Sequence, residues 1–202
     1  MPRLWLLSDP HRLPDPRGAA RTLPRGSAVL ARDVPPAVLR SLARLCRQRG
    51  LRLLVSGDGR AALAAGAGLH LPDRRRTAGL LPFLLHRRHA GAAPPLLSVA
   101  AHGRAGLARA RRLGADSVLL SPAFPTASHP GAPALGPLRW AALARRAGCP
   151  AVALGGITGR SARRLPIRAA GLAAITALCR DRHSVSRMSR VSVRNHCPSR
   201  TG

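Results

Sequence analysis

Residues 116–133 read DSVLLSPAFPTASHPGAP. The short run SVLL (117–120) gives way at once to a polar corner carrying Pro122, Pro125, Pro130 and Pro133. A stretch with helical periodicity, PLRWAALARRAG (137–148), follows and stops at a glycine. Run, corner and helix together make one unit, and the chain repeats it. Comparable apolar runs occur at 4–9, 28–33, 51–58, 68–73, 95–102, 151–158 and 172–176, each ending in a polar or Gly-rich corner. Apolar runs this short fit strands buried on both faces, as in a parallel sheet.

Between most runs lie Ala/Leu/Arg stretches of helical period. PAVLRSLARLCRQRG (36–50) sets Val38, Leu42 and Leu45 on one face and ends at Gly50. GRAALAAGA (59–67) and GRAGLARARRLGA (103–115) are read the same way, and RSARRLPIRAAG (160–171) as a helix interrupted by Pro166. Alternating strand and helix implies βαβ units. Eight runs favour closure into a barrel, and the first lacks the G-x-G-x-x-G expected of an open dinucleotide-binding sheet. The predicted fold is therefore α/β, a small (β/α)8 TIM barrel. Its first crossover, residues 10–27, holds four prolines and leaves room only for a reduced helix. Its C-terminal end is expected to be poorly formed: residues 1–178 make the barrel, and the Arg/Ser-rich stretch 179–202 has no apolar helical face and is read as a disordered tail.

Composition narrows the function classes. The chain has 202 residues, 46% hydrophobic but only 2% aromatic, so the core is built of Leu, Ala and Val. No apolar run is long enough to span a bilayer, and the N-terminus lacks a signal-peptide pattern, so a cytoplasmic location is expected. Four scattered cysteines give no C-x-x-C pair and read as buried thiols. The net charge of +27 invites a nucleic-acid reading. Yet every basic residue is Arg, spread along the whole chain, and aromatic residues to stack on bases are almost absent. An Arg-rich polyanion- or nucleic-acid-binding protein remains the alternative of a different class, with nucleic acid held only non-specifically.

In a barrel, chemistry sits where strands end. The corner after the sixth run offers Thr126, Ser128 and His129 as donors on a proline-stiffened backbone, suited to a polyanionic group such as pyrophosphate. GGIT (155–158), after the seventh run, offers close backbone approach to a phosphate and the N-terminus of a following helix.

These segments carry a resemblance. GADSVLLSPAFPTASHPGAPALG (114–136), VALGGIT (152–158) and AGLAAITAL (170–178) are similar to the thiamine phosphate synthase/TenI superfamily, as are LLSVAAH (96–102) and VLARD (29–33). The similarity covers about residues 28–178. It implies a transferase that couples hydroxymethylpyrimidine pyrophosphate to thiazole phosphate and releases pyrophosphate. By position it implies Thr126, Ser128, His129 and Arg32 at the pyrophosphate, and Gly155, Gly156, Ile175 and Thr176 at the thiazole phosphate. His102, His129 and Arg32 would be the catalytic side chains, and Asp58 and Asp73 the ligands of a Mg2+ ion. The sequence departs from the family pattern at several of these places. His129 stands for a lysine, the acidic segments after the third and fourth runs are reduced to SGD and PDRRR, and L-R-E-K becomes Leu30-Ala31-Arg32-Asp33-Val34 with only the Arg kept. A TenI-like thiazole tautomerase, using His102 for proton transfer, or a non-catalytic relative, is the alternative within the superfamily.

Overall fold

Runs of four or five residues rich in Leu, Val and Ala, too short for stable helices, become strands because each can bury both faces at once. In the computed structural model, which describes residues 1–73, 75–126, 131, 133–165, 169–178, 186 and 188, all eight runs do so. They are β1 (Leu4–Leu7), β2 (Ala28–Ala31), β3 (Arg52–Ser56), β4 (Gly68–Leu71), β5 (Leu97–Ala101), β6 (Ser117–Leu120), β7 (Ala151–Leu154) and β8 (Gly171–Ala174). Every neighbouring pair is parallel, and β8 returns to β1, so the barrel is closed in sequence order. The helices between them are α1 (Arg17–Ala20), α2 (Pro36–Arg49), α3 (Gly59–Ala64), α4 (Leu80–His89), α5 (Arg104–Arg112) and α6 (Gly136–Arg145).

Strand alternation sorts the side chains into two cores. Trp5, Leu7, Ala28, Leu30, Leu54, Leu119, Val152 and Ala173 point inward and fill the barrel. Leu6, Val29, Leu53, Val55, Leu69, Val99, Val118 and Leu120 point outward against the helices. Both tryptophans are fully buried, one in each core. Trp5 donates its indole N–H to the Pro2 carbonyl at 2.9 Å, and Trp140, from α6, donates to the Leu120 carbonyl at 3.1 Å. On the underside, Arg87 of α4 grips both carboxylate oxygens of Asp116 at 2.8 Å, while Asp116 also accepts the Leu97 N–H at 2.7 Å. That one carboxylate ties α4 to the starts of β5 and β6.

The first crossover is reduced as expected, since α1 spans four residues. Two readings need correction. The helix expected over 160–171 is only a four-residue 3-10 turn at Ser161–Arg164. Leu165 is already extended, with ψ of 147°, because the ring of Pro166 disfavours helical backbone in the residue before it. Conversely, α4 was not expected from its sequence, LLPFLLHRRH. Phe83 is buried but Leu81 and Leu85 are 67% and 49% exposed, so the apolar positions do not trace one face. Pro82 lies in the first turn, where its missing N–H costs nothing. The expectation for 179–202 lies outside the described residues except at Ser186 and Met188, and Met188 is buried. Among the described residues no helix is long and apolar enough to cross a membrane.

Candidate active site

The C-terminal ends of the strands build one mouth. At β1, Ser8 fastens the neighbouring strand: its hydroxyl donates to the Arg32 carbonyl at 2.9 Å and accepts the Arg32 N–H at 2.6 Å. Arg32 has the inward parity of Ala28 and Leu30, so the clamp sets a half-buried guanidinium at the mouth. Asp9 closes the turn that follows β1. It accepts the backbone N–H groups of His11 and Arg12 and pairs with the Arg12 guanidinium, which holds its carboxyl down at about 2.

His70 of β4 is buried, with Nδ1 at 2.8 Å from the Ser98 hydroxyl of β5. Desolvation first, then the charges of Arg32 and Arg109, push its pKa down to about 3. The ring is therefore neutral in the folded chain at any pH above that, whereas in the unfolded chain it protonates near 6.5. The unfolded state thus binds more protons between the two values. Stability is unaffected by this group above pH 6.5 and is lost as pH falls toward 3, with a slope approaching about 1.4 kcal/mol per pH unit for one proton. Denaturant titrations between pH 7 and 4 should show this slope, and His70→Gln should flatten it; an unchanged slope would exclude His70 as its source.

His102, after β5, donates Nδ1–H to the Ser121 carbonyl at 2.9 Å, which turns Nε2 toward Asp73, 3.9 Å from its carboxylate. The strand-five histidine and the strand-four aspartate are thus brought together. Asp58 has a different employment. Its Oδ1 accepts the N–H groups of Arg60 and Ala61 at 2.9 and 3.0 Å, capping α3.

The proline corner is zipped to the loop after β7. Ala123 N–H donates to the Leu154 carbonyl at 2.8 Å and Phe124 N–H to the Gly155 carbonyl at 3.1 Å. Its far end returns through Leu135 N–H to the Pro122 carbonyl and Gly136 N–H to the Ala123 carbonyl, closing the neck of the loop. Arg164 lies over the Phe124 ring at 5.5 Å from its centre. Gly155 and Gly156 have φ of 93° and 63°, and a Cβ on either would strike this corner: Pro122 Cα at 2.9 Å from Gly155, and the Pro125 carbonyl from Gly156. The glycine pair is required first by this close approach. Ser128 and His129 lie outside the described residues.

Between the two loops opens a cavity of about 680 Å³. Thr126, Gly155, Gly156, Ile175 and Thr176, all singled out from the sequence, line it together. Sequence reading missed Arg12, Arg160 and Arg163, which also line it; in a chain where every basic residue is Arg, none of the three stands out. The expected helix N-terminus after GGIT is not available. Thr158 N–H donates to the Ser161 hydroxyl at 2.8 Å and Ser161 N–H to the Thr158 hydroxyl at 3.1 Å, so the turn satisfies its own first donors. Positive charge at this cavity comes from side chains. A neighbouring pair, Arg75 and Asp33, joins the loops after β4 and β2 at 3.1 Å.

Comparison with known proteins follows this geometry. The family model described as thiamine monophosphate synthase matches residues 35–178. A curated relative from Geobacter sulfurreducens, named "Putative thiamine-phosphate synthase", is 34% identical over 192 residues, covering 88% of this chain and 87% of its own. Among solved structures, thiamine phosphate pyrophosphorylase from Pyrococcus furiosus superposes with a TM-score of 0.75 at 20% identity, covering 96% of this chain and 97% of that one. The 2-keto-3-deoxy-6-phosphogluconate aldolase of Zymomonas mobilis superposes at 0.57 with 14% identity, covering 95% and 90%. At these identities the superpositions speak for the barrel alone.

Proposed function

Because the chain belongs to the thiamine monophosphate synthase family, we propose that it couples hydroxymethylpyrimidine pyrophosphate to thiazole phosphate and releases pyrophosphate. The observation that carries this reading is the shared cavity, in which Thr126 of the proline corner faces Gly155, Gly156, Ile175 and Thr176. Two anionic substrates would then meet across one mouth. The thiazole phosphate sits against the glycine loop with Arg160 and Arg163, and the pyrophosphate at the β2 and β6 corners with Arg32 and Thr126.

In the reaction the C–O bond between the pyrimidine methylene and the pyrophosphate breaks, and both electrons leave with the pyrophosphate oxygen. The thiazole nitrogen then donates its lone pair to the carbocation and forms the C–N bond. No proton transfer is needed, so the residues contribute position and fixed positive charge. The resemblance also implies Mg2+, but the carboxylates present do not fit it. Asp58 is committed to capping α3, Asp73 faces His102, and no group of three His, Cys, Asp or Glu that could hold a metal ion occurs among the described residues.

A second reading is favoured by one contact. His102 is oriented by the Ser121 carbonyl with Nε2 beside Asp73, an arrangement suited to moving a proton in a TenI-like tautomerase. A coupling assay with both phosphorylated precursors, followed by pyrophosphate release, tests the first reading. His102→Ala should lower coupling by about tenfold or less, but should abolish tautomerisation, where general acid–base catalysis contributes about 10²–10⁴-fold. Absence of coupling in a folded protein that isomerises a thiazole carboxylate phosphate would hand the chain to the second reading.

A further inference from the structure

The carboxylates around the mouth are all engaged. Asp9 is paired with Arg12, Asp33 with Arg75, Asp58 with two backbone N–H groups, and Asp73 lies 3.9 Å from His102. The cations outnumber them. Arg32 enters at the end of β2. Arg109 reaches from α5 to the Pro72 carbonyl at 2.7 Å, and both lie close enough to act on His70. Arg75 extends from the loop after β4 to the loop after β2, where its only described partner is the half-exposed Asp33. The corner where the resemblance expects acidic metal ligands is thus electropositive in this chain.

We propose that arginine replaces the divalent cation here: Arg32 and Arg75 bind the pyrophosphate of the pyrimidine substrate directly, and the leaving group is neutralised without a metal. The proposal rests on the coupling reading above. A guanidinium suits the role because its planar fork donates two parallel hydrogen bonds to phosphate oxygens and stays charged at every working pH. Arg75 is held in reserve by Asp33. Their ion pair is exposed, so it is weak, and exchanging one carboxylate for a more highly charged pyrophosphate favours the ligand. Charge develops on the pyrophosphate as the C–O bond breaks, and two fixed cations stabilise it at that moment.

The test is calorimetric titration of inorganic pyrophosphate into the full chain at about 150 mM salt, once in EDTA and once in Mg2+. Affinity is expected to agree within about twofold between the two conditions. Arg32→Ala and Arg75→Ala, each checked for an unchanged melting temperature, should each weaken binding by about tenfold, the order of one charge-assisted hydrogen-bonded contact. Lysine at either position should restore only part, since an ammonium lacks the fork. Asp58→Asn, which keeps the cap, should change nothing. Binding that rises tenfold or more with Mg2+, and loses that rise in Asp58→Asn, would overturn the proposal and leave the coupling reading standing. No binding in either condition would remove both. An equal loss in Arg49→Ala, on the exposed end of α2, would show net charge alone at work and would also overturn it.

Discussion

Replacing Gly156 by alanine should disable the candidate site and destabilise the barrel together. The residue has φ of 63°, and its added Cβ would strike the Pro125 carbonyl and approach Phe124 Cβ at 2.8 Å. Backbone cannot retract as a flexible side-chain end would, so one loop must move. A left-handed alanine costs about 1–2 kcal/mol, and overpacking adds about 1–3. The expected total is about 2–4 kcal/mol, or a melting temperature lower by roughly 5–15 °C for a chain of this size. The control is Gly114→Ala, at φ of 58° with no atom within 4 Å of the added Cβ. It carries the backbone strain alone, so the difference between the two variants isolates the loop contact. Because the same glycine lines the cavity, phosphate affinity should fall by about tenfold or more in Gly156→Ala and stay unchanged in Gly114→Ala. Equal stability of the two variants, with phosphate binding intact in both, would show that the two loops are not coupled through this residue.

The pairing of these loops also shows how far sequence reading reaches. Strands were legible because each apolar run must bury two faces, and only β-structure does that in four residues. Helices were legible where Ala, Leu and Arg alternate in one period, as in α2, and illegible in α4, whose exposed Leu81 and Leu85 blur the face. At the site, the residues found were those in distinctive local patterns, the proline corner and GGIT. The residues missed depend on contacts distant in sequence. His70 meets Ser98 across 28 positions, and Arg75 meets Asp33 across 42. Nothing local in GLHL or PDRRR announces either partner. Asp58 shows the reverse difficulty: as an acidic residue at a strand end it suits a metal, but its spacing to α3 suits a cap equally, and only geometry decides.

Trp5→Ala should produce the largest loss of stability among single changes in the barrel interior. Trp5 lies opposite Ala28 on β2 and Ala173 on β8, and in a parallel sheet such neighbours point to the same side. The two alanines leave the space that one indole fills, so the side chains around Trp5 are small and cannot close in when it is removed. The chain has no surplus of large side chains to repack with, since its two tryptophans and two phenylalanines are its only aromatic residues of that kind and it has no tyrosine. Truncating a buried Trp costs about 3–5 kcal/mol, with the upper end expected where the site cannot collapse. Urea unfolding should therefore show a lower midpoint at unchanged slope, the mark of lost stability without a change in the surface exposed. Trp5→Phe should recover more than half of the loss. A second test uses the register directly: Trp5→Leu combined with Ala173→Leu should be less destabilised than the sum of the single variants, because residues sharing one space are coupled. Strict additivity would mean that Trp5 and Ala173 do not share the interior, and would contradict the inward packing on which the barrel rests.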